Sequence, residues 1–333
     1  MIEILKNNEV DEAAWRKLLS SSSTASYFQS PECYSFYKEL SFLTPFLVAV
    51  SDDGDLKALV CGYIMADGGI VKRYMSRRAI IPGGMLVTDD CNERLVGALL
   101  FALSDELRAR AIYTEFRNYS DYSSLKSVFD LHGFKYQPHL NFHVSTESEE
   151  NVYKRLSSTK RRDIKQSLKE GAVIDTAPNA DDLQTFYQLL SELYSTRIKT
   201  PLFPEAFFES LIKRTEAHFF LIKYQQRVIG GSLCVSLNAD VLYEWFVCGL
   251  DGKFKNIYPS TLATWAAIEY AVNNGYRYFD MMGAGKPDEG YGVRDFKARF
   301  GGVLVEHGRF LKINQPILYF IGKKAVAFLK KKK

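Results

Sequence analysis

The sequence predicts an α/β fold of the α+β kind, with two domains each built on a mixed sheet. Three observations lead there. The chain has 333 residues, and domains typically run to about 100–200. The same order of elements (helices, a three-strand meander, helix, strand, helix, strand) is legible twice, so a structural duplication is the economical account. In each half, strands alternate with helices only late, which calls for a mixed sheet.

Residues 2–6 form a short strand-like run. Residues 11–19 and 31–40 read as helices, and 46–50, 56–65 and 70–75 as strands, with Asp53-Gly54 as the hairpin turn between the first two. A long amphipathic helix spans 92–110. A strand over 111–116, a helix over 123–131 ended by Gly133, and a strand over 134–144 complete the half. In the second half a helix from about residue 160 stops at Gly171. The next, 181–197, carries Leu183, Phe186, Leu190 and Leu193 on one stripe. Pro201 ends it, and Pro204 opens a short helix through Phe207, Phe208 and Leu211. Strands follow at 219–224, 228–237 and 240–247, then a helix over 260–274 closed by Gly275. A strand over 276–281, a helix over 293–300 and a strand over 303–310 finish the series. The run Ser145-Thr146-Glu147-Ser148-Glu149-Glu150-Asn151 has no apolar residue and marks a boundary. The expected domains are therefore 1–147 and 148–310, with 311–333 a basic amphipathic helix packing back on the first.

Composition narrows the class. Hydrophobic residues make up 47% and charged residues 25%, ordinary for a globular protein. The 23 Phe and 20 Tyr supply two cores and suit a ring-lined groove. No stretch approaches the roughly 18 apolar residues of a spanning helix, and the N-terminus lacks a signal-peptide pattern. Five scattered cysteines form no C-x-x-C pair, which argues against a zinc site or disulfide framework and for a reducing cytoplasm. Net charge is +4, but six lysines lie in the last twelve residues. Without those six the rest of the chain stands at about −2, so positive charge sits in patches.

The densest chemistry-bearing segment is Phe279-Asp280-Met281-Met282-Gly283-Ala284-Gly285-Lys286-Pro287-Asp288-Glu289-Gly290-Tyr291-Gly292-Val293-Arg294-Asp295-Phe296-Lys297. It follows a strand and opens into a helix. Its four glycines within ten residues let a backbone approach a ligand. Asp280 ends the strand, and Arg294 and Lys297 on the helix face the same crevice, where α/β folds usually bind ligands. A second segment, Lys160-Arg161-Arg162-Asp163-Ile164-Lys165, places Arg161 and Lys165 on one helix face with Arg162 beside them. It suits a phosphate or an RNA backbone, or equally a solvated basic face. Third, Tyr194-Ser195-Thr196-Arg197 ends an apolar helix, so Arg197 either snorkels or points into a cleft. In Tyr243-Glu244-Trp245-Phe246, strand alternation puts Glu244 on the face away from Tyr243 and Trp245, open to solvent.

The absences also speak. The histidines show no metal-type helical spacing; His139 and His143, four apart on one expected strand, suit cross-strand packing. There is no G-x-S-x-G elbow, no Walker loop and no early G-x-G-x-x-G.

Tyr258-Pro259-Ser260 before a helix, Tyr278-Phe279-Asp280-Met281-Met282-Gly283-Ala284-Gly285, and Tyr291-Gly292-Val293-Arg294-Asp295-Phe296-Lys297-Ala298-Arg299-Phe300-Gly301-Gly302 together resemble the Fem family of peptidoglycan-bridge aminoacyltransferases and its wider Gcn5-type N-acetyltransferase relatives. The resemblance covers the second half, and the repeated order extends it to the first. It implies two tandem N-acetyltransferase-like lobes and transfer of an amino acid from aminoacyl-tRNA to an amine of a peptidoglycan precursor. It further implies Lys297 at the acyl-transfer centre as the oxyanion's partner, with Asp280 taking the amine's proton. Arg197 would meet the precursor's phosphates, and Tyr258 and Asp280 would line the cleft, with Tyr194, Glu244, Gly283, Gly285, Tyr291 and Arg294 as further substrate contacts. The coiled-coil arm of some Fem members is missing. The acetyl-CoA enzymes' Q/R-x-x-G-x-G/A loop is replaced by Lys255-Asn256-Ile257-Tyr258-Pro259-Ser260, where Pro259 offers no N–H. An activated donor (aminoacyl-tRNA before acyl-CoA), no tightly bound cofactor and no metal are therefore expected.

The tail, with Ile317-Leu318-Tyr319-Phe320-Ile321, Ala325-Val326-Ala327-Phe328-Leu329 and four terminal lysines, suits a final packed helix and also an anionic membrane surface at the inner face. Three functions stay open: an aminoacyl- or acyltransferase on a nucleotide- or lipid-linked cell-envelope precursor, an N-acyltransferase for an amino sugar of capsule or exopolysaccharide, and a non-catalytic RNA- or glycan-binding relative.

Overall fold

The structure, a computed structural model, describes residues 1–331, with side chains throughout except at 70, 71 and 325–331. The side chains of the apolar run at 325–329 and of Lys330 and Lys331, and the whole of Lys332 and Lys333, thus lie outside what is described. Two compact units emerge: Met1–His139 with Glu306–Lys333, and Leu140–Val305.

The first unit runs β1 (Ile2–Lys6), α1 (Glu12–Ser21), α2 (Pro31–Glu39), β2 (Leu43–Asp52), β3 (Asp55–Met65), α3 (Ile70–Tyr74), β4 (Arg78–Gly83), β5 (Leu86–Val87), α4 (Glu93–Leu107), β6 (Tyr113–Asn118), α5 (Lys126–Leu131) and β7 (Lys135–Gln137). The second runs β8 (Leu140–Ser145), α6 (Glu149–Arg155), α7 (Ser158–Lys169), β9 (Val173–Asp175), α8 (Ala180–Leu193), α9 (Glu205–Leu211), β10 (Ala217–Tyr224), β11 (Arg227–Leu237), β12 (Val241–Gly249), α10 (Pro259–Asn273), β13 (Tyr278–Asp280), α11 (Gly292–Ala298) and β14 (Val303–Glu306). The chain then rejoins the first unit with β15 (Arg309–Ile313) and α12 (Pro316–Lys331).

Local chemistry sets many of these bounds. Asp11 caps α1 by accepting the Ala14 N–H at 2.8 Å. Ser30 caps α2 just before Pro31, whose missing N–H costs nothing at a first helical position. Asp53 and Gly54 both take positive φ, as a tight hairpin turn requires.

The first sheet has the order β1-β2-β3-β4-β6-β15-β7, with β5 beside β3. Phe46, Val60, Ile81, Phe116 and Phe310 form one core with Leu99, Leu103 and Phe129 of α4 and α5. Here β4 and β6 run parallel and stay paired through six positions, from Arg78–Tyr113 to Gly83–Asn118. The second sheet has the order β14-β8-β13-β12-β11-β10-β9. Helix α10 is buried nearly all round and joins Leu242, Cys234 and Phe279 in its core. Parallel β12 and β13 pair at three positions only, ending at Tyr243–Asp280. Beyond that point β12 continues to Gly249 and β13 stops, so the strands part. A register shift between Leu233 and Cys234 leaves Trp245 as an extra residue on β12, a bulge of the kind that bends a strand near a site.

Several expectations are corrected. Residues 70–74 are helical, not a strand; so short an apolar–basic run carries no decisive period. The strand that follows, β4, was hidden by Pro82-Gly83, which reads as a turn. The single strand expected over 134–144 is two, β7 and β8, with Pro138 and His139 between them, and they belong to different sheets. The strand expected over 303–310 likewise divides into β14 and β15, with Gly308 at positive φ between them. The apolar-free run 145–151 is partly ordered: Ser148 caps α6. The units divide after His139 rather than after residue 147, since β8 hydrogen-bonds into the second sheet. Among the described residues no helix is long and apolar enough to cross a membrane.

Candidate active site

The parting of β12 and β13 is lined by polar groups. Asp280, the last residue of β13, is fully buried. Its Oδ1 accepts from Asn141 Nδ2 at 2.7 Å and from the Met282 N–H at 2.6 Å. The second bond requires a tight reversal, and Met282 takes positive φ to make it. Oδ2 lies 3.2 Å from Nε2 of His143 on neighbouring β8, an ion pair whenever the ring is protonated, although the two atoms are misaligned for a hydrogen bond. The His143 ring stacks on Tyr278 at 4.5 Å. His139 and His143 therefore do not share a strand, and only His143 lies beside Asp280.

The loop after Asp280 is gripped by two cations of α11. The buried Lys297 ammonium donates to the carbonyls of Met281, Met282 and Gly283, the last two at 3.0 Å. Its three N–H donors are thereby used. Arg294 donates to the carbonyls of Ala284 at 3.0 Å and Lys286, with Pro287 at 3.5 Å. Both side chains hold the loop, one carbonyl after another. Burial pushes the Lys297 ammonium below the usual lysine range, and the charges of Glu244 and Asp280 offset part of that. Gly285 is at positive φ, and a Cβ there would sit 2.9 Å from the Tyr291 ring, so Tyr291 lies against the loop with its edge exposed.

Glu244 is buried, not solvent-facing. Its face of β12 is covered by α10: Oε1 accepts from Thr264 Oγ1 at 2.7 Å and Ser232 Oγ at 3.3 Å, while Oε2 has no hydrogen-bond partner among the described residues. Burial raises its carboxyl above the usual range, with Lys297 as the largest opposing influence. An unpaired buried carboxylate oxygen is costly, which is why the nearby lysine matters.

On α7 the buried cation is Lys160. Its ammonium donates to Thr261 Oγ1 at 2.7 Å and lies 3.6 Å from the Phe296 ring centre. Burial lowers it to about 8, with Asp163 and Asp251 opposing. Arg161 instead donates to the carbonyls of Lys154 and Leu156 at 2.9 and 2.6 Å, capping the end of α6. Arg162 is exposed beside Asp163, and Lys165 is exposed. Arg197 is exposed on a π-helical turn, and Tyr194 packs against Phe246 at 6.3 Å.

At the start of α10 two N–H groups are occupied. Tyr258 donates to Ser167 Oγ at 2.9 Å, Ser260 donates to Asp251 Oδ1 at 3.2 Å, and Pro259 has none to give. A Cβ on Gly249 would lie 2.5 Å from Ser260 N, so the end of β12 sits directly against the helix start.

Residues 154–297 match the family model of an acetyltransferase (GNAT) domain. The second unit carries a GNAT domain. It is of the acyltransferase class, and Asp280, Glu244, Lys160 and Lys297 all lie within its matched span. No curated protein matches the chain in sequence. Among solved structures, FemX is similar in fold with a TM-score of 0.71 at 16% identity, covering 95% of this chain and 99% of that one. The C-terminal domain of a putative lysylphosphatidylglycerol synthetase from Agrobacterium fabrum gives 0.59 at 11% identity, covering 95% and 96%. A tandem GNAT protein from the clavulanic acid biosynthesis pathway gives 0.59 at 8% identity, covering 94% and 99%. The chain therefore has the fold of two tandem GNAT-like lobes.

Sequence reasoning singled out Asp280, Lys297 and Glu244, and the GNAT domain brings these three into one electrostatic group. It missed Lys160, His143 and Asn141. A signal for Lys160 was present, since Lys160, Ile164 and Ser167 recur at helical spacing on the buried face of α7. For His143 and Asn141 there was none, because their strand was joined to its neighbour.

Proposed function

We propose that the GNAT domain transfers an acyl or aminoacyl group to an amine of a nucleotide- or lipid-linked cell-envelope precursor, at the parting of β12 and β13. The observation that carries this is the buried Asp280 at that parting, with His143 beside it and the Lys297 charge close behind. The amine nitrogen attacks the carbonyl carbon of an ester or thioester. A C–N bond forms, the bond to the leaving oxygen or sulfur breaks, and the leaving group departs as a hydroxyl or thiol. The Asp280–His143 pair takes one ammonium proton, and the second proton lost by the nitrogen passes to the leaving oxygen or sulfur. Lys297 fixes the loop and lends its charge to the developing oxyanion. The likeness to the Fem family supports aminoacyl-tRNA as donor. So does the occupied start of α10: a pyrophosphate there would have to displace Ser167 and Asp251.

Helix α12 supports peripheral contact with an anionic membrane at its cytoplasmic face. Ile317, Phe320 and Ile321 are exposed at spacings of three and one, followed by exposed Lys323 and Lys324.

The test is transfer by purified protein from aminoacyl-tRNA and acyl-CoA in parallel, with and without phosphatidylglycerol vesicles, read as the mass gained by the amine acceptor. One added acyl or aminoacyl group is expected, with Asp280→Asn slowing turnover by about 100-fold or more. No transfer from either donor, or full activity in Asp280→Asn, overturns the reading.

A further inference from the structure

The first unit carries a charged cluster that the transfer chemistry does not use. On β6, Tyr113, Glu115 and Arg117 are half-buried, while Thr114, Phe116 and Asn118 between them are buried. The second set faces the α4–α5 core. The first set lies on the opposite sheet face, whose β2–β3 end is occupied by α1 and α2, with Tyr37 against Tyr63 at 4.8 Å. Tyr63 pairs in register with Ile80, and Ile80 with Glu115. Past Ile80 the face turns polar.

Arg117 and Arg309 are directly opposed across the antiparallel β6–β15 pair. Like charges in that position repel, and guanidinium groups stay charged in proteins. One carboxylate serves both: Glu115 Oε1 accepts from Arg117 Nε at 2.6 Å and from Arg309 Nη1 at 3.3 Å. Arg309 Nη2 lies 3.0 Å from His139 Nε2. The two terminal nitrogens of Arg117 make no hydrogen bond to the described residues. Two cations thus share one anion, and the forked face of Arg117 has donors to spare. The side chains of Arg117 and Arg309 are 38% and 27% exposed, so a small ligand can reach them.

We propose that the first unit binds an oxyanion, a carboxylate or a phosphate, on this open half of its sheet, with Arg117 and Arg309 as its ligands. Planar guanidinium forks match both anions bidentately. The site lies wholly within the first unit and does not depend on the transfer reading.

The test is calorimetric titration of the full chain with inorganic phosphate and, separately, with acetate, at low and moderate sodium chloride. Saturable binding of at least one is expected; the tighter arm identifies the anion. Arg117→Ala should weaken it about tenfold or more, and Arg309→Lys should weaken it less, because the charge remains while the fork is lost. Glu115→Gln should tighten it several-fold by removing the competing carboxylate, a gain that a misfolded variant does not produce. No saturable binding of either anion, or binding that Arg117→Ala and Glu115→Gln both leave unchanged, overturns the proposal.

Discussion

In the first unit β4 and β6 stay paired through six positions, whereas in the second β12 and β13 part after three. What fills each place differs accordingly. After β4, the buried Tyr122 hydroxyl meets the carbonyls of Met85 at 2.6 Å and Gly83 at 3.2 Å, and the Tyr122 ring occupies the space a Cβ on Gly84 would need. After β13, carbonyls are held by the ammonium of Lys297 instead, next to the buried carboxylates Asp280 and Glu244. One lobe closes the gap with a neutral phenol, the other keeps charge in it. A charged, parted sheet costs stability, a trade that fits the transfer site proposed for the second unit.

Three measurements would break or sharpen this contrast. The largest effect is expected from Lys297→Met, which frees the carbonyls of 281–283 and removes a buried charge that opposes the desolvation of Glu244. Orphaning a buried carbonyl typically costs about 1–3 kcal/mol, and three lose their donor here. The urea midpoint should fall accordingly, with amide exchange rising in the second unit; an unchanged midpoint would show that the loop is held by something else. Tyr122→Phe should cost about 1–2 kcal/mol, the usual consequence of orphaning buried carbonyls. Exchange protection should then be lost around residues 83–87, and if it is not, the phenol does not close that gap.

The smallest effect concerns pH. Because burial raises the Glu244 carboxyl, the folded form holds its proton more tightly than the unfolded chain does. Stability should therefore decline as pH rises from the ordinary carboxylate value through the raised one. Glu244→Gln removes that slope, so its advantage over the parent should grow toward higher pH. A thermal midpoint difference that is flat across pH 4–7 would mean that Glu244 meets its charge without penalty.

How far each feature was legible follows from the range of the forces behind it. Helix starts at Asp11, Ser30-Pro31 and Pro259, and the turn at Asp53-Gly54, rest on contacts within a few residues, and their signals are in the chain. Asp280 and Lys297 stood out because a strand end, a glycine-rich loop and a helix follow one another directly. Glu244 was located but misplaced, since strand alternation gives a face and not its cover; α10 lies fifteen or more residues on in sequence.

The sequence by itself determined most helices and strands, the mixed character of the two sheets, and the segment that carries the buried carboxylate and lysine. Only the tertiary structure decided that residues 134–144 and 303–310 each split between two sheets, that Arg161 caps a helix while Lys160 turns inward, and that Arg117 and Arg309 meet across strands nearly two hundred residues apart. Hydrogen bonds between strands and the burial of a face depend on which segments become neighbours in space. Periodicity and capping record only the neighbours along the chain.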